Sequence, residues 1–150
     1  MTSTKPECAN TWLLHCHNEP DIAGAIVTTV NGKGKLTMQT LLPEQATIRK
    51  VFGYTYGGQT FDPPVSAYTP FANKWRLEVR PPQAQTQDVF LHVLSTSDAP
   101  QPAQLIRQGD QVGVKVGDIQ VLFGDRVGGT LALGANQFAL RAEVIKGRYE

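Results

Sequence analysis

The feature that most constrains this chain is its punctuation. Short β-rich runs are cut again and again by glycine, proline, asparagine and aspartate, and no amphipathic helical stripe with a capping box occurs anywhere. The clearest case is Ile26–Val30, the turn Asn31-Gly32-Lys33-Gly34, and Lys35–Leu42. Asn and Gly tolerate the positive φ that tight hairpin turns require, so this segment predicts a β-hairpin. Leu36, Met38 and Thr40 fall on one side of its second strand, and Pro43 ends it because proline cannot donate to a ladder.

The same reasoning predicts further strands at Thr11–His17, Thr47–Phe52, Trp75–Arg80 and Asp88–Ser95. In Trp75–Arg80, Trp75, Leu77 and Val79 alternate with Arg76, Glu78 and Arg80, the pattern of a strand with one buried face. Trp75 is expected to pack in the core. Short runs at Gln104–Arg107, Gln111–Val116, Ile119–Phe123, Thr130–Leu133 and Phe138–Val144 follow, separated by Gly-containing turns. Gly53–Asn73, dense in Gly, Pro and aromatic residues, reads as a long loop. The expectation is an all-β fold, an antiparallel two-sheet β-sandwich of about ten short strands. It is read as one domain over residues 1–150, without an internal boundary or repeat.

Composition excludes several classes. With 41% hydrophobic and 18% charged residues the chain is ordinary globular material, and its net charge of +1 comes from scattered basic residues. Neither a nucleic-acid footprint nor a membrane span is expected, and the N-terminus lacks the layout of a signal peptide. Cys8 and Cys16 are the only cysteines, too few for a disulfide framework or a thiolate zinc site. Cys16 is read as a buried thiol, and its pairing with Cys8 is left open. No Gly-x-Ser-x-Gly elbow, His-Glu-x-x-His or phosphate cradle is present.

Three ordered segments carry a resemblance. They are Trp12-Leu13-Leu14-His15 with Asn18-Glu19-Pro20, then Gly34-Lys35-Leu36 with Thr40-Leu41-Leu42-Pro43, and finally Trp75-Arg76-Leu77-Glu78-Val79-Arg80-Pro81 with Asp88-Val89-Phe90-Leu91-His92-Val93-Leu94. Over roughly residues 3–95 this set resembles the C-terminal β-sandwich region of heparinase II/III-like polysaccharide lyases. The resemblance implies a sandwich of the lyase supersandwich type, from a periplasmic or secreted parent that cleaves uronic-acid glycans by β-elimination. In such a parent the sandwich packs against an α-helical toroid that supplies most of the cleft, and the catalytic tyrosine and asparagine lie upstream of the matched region. The chain is therefore expected to be a fragment without catalytic residues of its own, supporting the toroid and lining a glycan cleft. The alternative is a free-standing carbohydrate-binding module.

The candidate site residues follow. Tyr54, Tyr56 and Tyr68 border the long loop, where they either stack on sugar rings or seal the loop onto the sandwich. His15 and His17 share a strand face, with Glu19 and Asp21 nearby as oxygen donors, although a zinc site wants three or four ligands. The resemblance singles out His15 for a zinc or cleft role in the intact parent; the other reading, a hydrogen-bonded structural histidine, is favoured. No cofactor is expected in the isolated chain. His92, on an apolar strand, is read as a core residue.

Overall fold

The structure, a computed structural model, describes residues 9–62, 73–124 and 128–140. They form an all-β fold of several antiparallel sheets, gathered into two compact units, residues 1–100 and 101–150. Among the described residues no helix is long and apolar enough to cross a membrane.

In the first unit, β1 (Trp12–Cys16), β5 (Thr47–Phe52) and β8 (Trp75–Arg80) make a three-stranded sheet in the order β1-β8-β5. A four-stranded sheet in the order β2-β3-β4-β9 is built from β2 (Asp21–Ala23), β3 (Ile26–Asn31), β4 (Gly34–Leu42) and β9 (Leu91–Ser95). The predicted hairpin is β3–β4: Asn31 pairs with Gly34, and Gly32 takes φ 58° at the first central position of the turn. Strand pairing holds the inner face of the three-stranded sheet in one register, with Trp12 opposite Val79, Leu14 opposite Leu77, and Cys16 opposite Trp75. Cys16, Leu77 and Val79 meet Val27 and Met38 of the four-stranded sheet in one core cluster, so the two sheets bury their apolar faces against each other. Trp12, Leu14, Ile48, Trp75 and Phe90 pack around it. Each of the wholly buried side chains Val27, Met38, Leu77 and Val79 contributes about 1.5–3 kcal/mol.

The ladder ends short of Asp88, since β9 opens only at Leu91. The carboxylate of Asp88 is fully buried and accepts hydrogen bonds from Asn10 Nδ2 at 2.8 Å and Gln85 Nε2 at 2.6 Å. A buried carboxylate needs such donors.

The second unit is a five-stranded meander whose spatial order is its sequence order. It comprises β10 (Ala103–Gln108), β11 (Gln111–Val116), β12 (Ile119–Phe123), β13 (Gly129–Leu133) and β14 (Asn136–Leu140). Val112, Val114 and Val116 lie opposite Phe123, Val121 and Ile119, and the latter two lie opposite Leu131 and Leu133, which makes one face apolar across β11–β13, with Arg107 and Asn136 at its margins on β10 and β14.

The all-β, antiparallel expectation holds, and among the described residues the strands make four sheets rather than a clear single two-sheet sandwich. One expectation is corrected. The predicted Gly53–Asn73 loop contains a hairpin, β6 (Tyr54–Tyr56) and β7 (Gln59–Phe61). Its strands are three residues each, too short for period-2 alternation to show. Gly57 and Gly58, read as loop punctuation, take φ 58° and 79°, the positive pair a type I′ turn demands. The last predicted run, Phe138–Val144, starts two residues earlier, at Asn136, and its residues 141–144 lie outside the described residues.

Candidate functional site

The hairpin places aromatic rings in the open. Tyr54 and Tyr56 are two residues apart and share a side of β6, and Phe61 is the cross-strand partner of Tyr54. All three rings therefore stand on one face, exposed by 46%, 83% and 47%. The base of the hairpin is pinned by a hydrogen bond of 2.8 Å from the Gly53 N–H to the Lys74 carbonyl. Gly53 has φ 68°, and a Cβ there would run into the Phe61 carbonyl, so the closure requires glycine. Of the two readings offered for these tyrosines, sealing the loop down does not describe Tyr56, which faces water. Tyr68 lies outside the described residues.

His15 and His17 line an open groove of about 400 Å³ together with Asn31, Lys35, Asn73 and Thr96. No carboxylate lines it among the described residues. Glu19, named as an oxygen donor for the imidazoles, instead pairs with Lys50 Nζ at 2.7 Å. Asp21 sits on the exposed edge of β2 opposite Thr28. Among the described residues no group of three or more His, Cys, Asp and Glu side chains is placed to hold a metal ion. The donor set around His15 thus does not fit zinc. Cys16 borders the same groove as a buried free thiol; burial pushes its pKa up, against a hydrogen bond with Thr29 that lowers it. Cys8 lies outside the described residues.

His92 is where the sequence places it. Its ring stacks on Trp12 at 4.1 Å between centroids and lies 6.2 Å from Phe90, and Nδ1 is 3.1 Å from Thr40 Oγ1. Nε2 is enclosed without a hydrogen-bond partner. Burial drives its pKa down to about 4, because the site solvates an imidazolium poorly. At neutral pH it is an uncharged core ring.

Sequence reasoning missed the most polar feature of the unit. Glu78 belongs to the alternate set read as the solvent side of β8, yet its side chain is only 6% exposed. Oε1 accepts from Arg76 Nε at 3.0 Å and Nη2 at 2.8 Å; Oε2 accepts from Arg49 Nε at 2.7 Å and Nη2 at 2.6 Å, and from Arg80 Nη2 at 3.1 Å. Burial by itself would raise the pKa of Glu78, but the hydrogen bonds and charges of Arg49 and Arg76 outweigh it, and the carboxyl is held below its ordinary value. The signal available in the sequence was Arg76-x-Glu78-x-Arg80, which puts three charges on one side of one strand; Arg49 arrives only through β5 pairing.

No protein-family model matches the chain, and no curated protein matches it in sequence.

Proposed function

We propose that this chain is a non-catalytic, glycan-contacting β module of the kind that accompanies the helical toroid in heparinase II/III-like polysaccharide lyases. In this reading the three- and four-stranded sheets are part of the lyase sandwich, and the β6–β7 hairpin contributes to a wall of the cleft. The observation that carries it is the shared exposure of Tyr54, Tyr56 and Phe61 on a hairpin closed by Gly57-Gly58. Apolar ring faces held in water on a rigid turn are what stacking on pyranose faces requires. The scaffolding half of the reading draws on the second unit. Ile119, Phe123, Leu133 and Phe138 share the apolar face of the meander and are 48%, 40%, 41% and 49% exposed, an area suited to a helical partner domain.

A free-standing carbohydrate-binding module would use the same hairpin, and the two readings part on affinity. Cleft lining adds one wall to a site completed by its partner, whereas a module working alone must hold glycan unaided. The test measures binding of the purified chain to uronate oligosaccharides by calorimetry, beside ultraviolet absorbance for elimination products. Weak binding, reduced about tenfold by Tyr56→Ala, with flat absorbance, is the expected result. Micromolar binding would favour the free-standing module. Absence of binding to any uronate oligosaccharide, or steady absorbance growth, would overturn the proposal.

A further inference from the structure

The outer face of the three-stranded sheet carries Leu13 and His15 from β1, Thr47, Arg49 and Val51 from β5, and Arg76, Glu78 and Arg80 from β8. Three guanidinium groups meet there over one carboxylate, and these strands bring no second acid to that face. Glu78 neutralises one positive charge and leaves the cluster cationic. Crowded like charges repel, and pure stabilisation would have matched them; a further anion relieves the repulsion. Arg80 Nε is enclosed without a hydrogen-bond partner and only its Nη2 reaches Glu78, so Arg80 is held by fewer hydrogen bonds than Arg49 or Arg76.

The arrangement is also preorganised. Glu78 clasps Arg49 and Arg76 through paired N–H groups, so their forks are held in place before any ligand arrives. Arg49 and Arg80 remain 54% and 43% exposed, which keeps guanidinium edges available to solvent. Arg76 and Arg80 are four residues apart on one strand, yet their guanidinium groups converge on the one Glu78 carboxylate, at 2.8 and 3.1 Å, so the positive charge is concentrated at one point of the face. A chain bearing repeated anionic groups presents several of them to that point, where a small ion presents one.

We infer that Arg49, Arg76 and Arg80, ordered on Glu78, form a recognition surface for the carboxylate or sulfate groups of an anionic glycan. This deepens the glycan-contacting role proposed above and rests on it. The guanidinium fork suits either planar carboxylate or tetrahedral sulfate, so the ligand class is an acidic polysaccharide, and the two anions are separate arms of the test.

The experiment follows the arginine Nε–H resonances of the ¹⁵N-labelled full chain at constant ionic strength. The probes are inorganic sulfate, glucuronate, an alginate hexasaccharide and a heparin hexasaccharide. The expected result is saturable movement of the Arg49, Arg76 and Arg80 signals, with at least one hexasaccharide binding ten times more tightly than either small anion. Arg49→Gln and Arg80→Gln should each weaken that binding about tenfold, and Arg80→Lys nearly as much, because the charge survives but the fork does not. A folded Arg49→Gln/Arg80→Gln double variant, verified by its melting profile, that binds with unchanged affinity and unchanged salt dependence overturns the inference. So does glycan binding that depends on Tyr56 while the arginine signals stay still, and that outcome leaves the glycan-contacting role standing. Movement with sulfate and glucuronate but no hexasaccharide binding would mean an adventitious ion only, and would sink both.

Discussion

Strand β8 and the β6–β7 hairpin invert the usual link between chemistry and burial. β8 carries three charged residues among six and is buried or half-buried at every position, whereas the hairpin strands, Tyr-Thr-Tyr and Gln-Thr-Phe, are exposed at every position. β8 is the central strand of its sheet, flanked on both sides, and on its polar side Glu78 is 6% exposed and bound by three arginines. Among the described residues the hairpin has one partner for each strand, and its aromatic side is exposed. Position in the sheet, not residue type, decides exposure.

The sharpest way to break this comparison is Leu77→Ala, which empties a wholly buried position on the inner side of β8. It should cost about 3 kcal/mol in chemical denaturation; a loss below about 1 kcal/mol would mean that the inner side does not carry the core. Glu78→Ala acts on the outer side. It leaves three guanidinium groups without their shared carboxylate, and should cost about 2 kcal/mol, less than a fully buried pair because the arginines are partly exposed. If the cost is near zero, the outer side is covered in name only.

Acid sharpens the same contrast. His92 falls from an ordinary 6.5 to about 4, so the unfolded chain takes up a proton that the folded ring resists. Stability is then full above pH 6.5 and declines as pH drops towards 4, by about 2 kcal/mol for a half-buried ring. Glu78, with its pKa held low, adds a loss that begins near the ordinary value of 4.5 and grows below it. Denaturation curves from pH 8 to pH 3.5 should show both legs, and His92→Phe should flatten the first while leaving the second. A first leg that persists in His92→Phe would refute the assignment. The smallest expected effect on stability belongs to the hairpin: Tyr56→Ala should change it by less than about 0.5 kcal/mol, since the ring is already in water. A larger loss would show that the hairpin is packed after all.

Much of the fold was legible because its signals are local. Strands β3, β4, β5, β8, β11 and β12 follow from alternation and turn chemistry within a residue at either end. What escaped was short or non-local. β2, β6 and β7 have three residues each, below the length at which a period declares itself. The division into four sheets depends on which strands find each other, as with β1 and β5 meeting across β8, and no single run encodes that choice. The candidate sites divide in the same way. Tyr54 and Tyr56 were legible as aromatics in a glycine-rich stretch, but their partner Phe61 needed the hairpin register. The scattered basic residues argued against a nucleic-acid footprint, and only the β5–β8 register gathers Arg49 beside Arg76 and Arg80. Glu19 was placed near the histidines by sequence spacing and drawn away by a lysine from another strand.

The meander of β10–β14 has a kinetic consequence. Its strands pair only with their neighbours in the chain, and β10–β11, β11–β12 and β13–β14 are each closed by a two-residue loop opened by Gly109, Gly117 or Gly134. Loop closure over so few residues costs little chain entropy, and each hairpin formed presents an edge on which the next can register. This unit can therefore assemble by successive local steps on the microsecond scale of hairpin formation. The first unit must bring β1 to β8, across some sixty intervening residues, before its three-stranded sheet exists. The order of events during synthesis and the order of assembly are thus set against each other: the part made first is the part that has furthest to search.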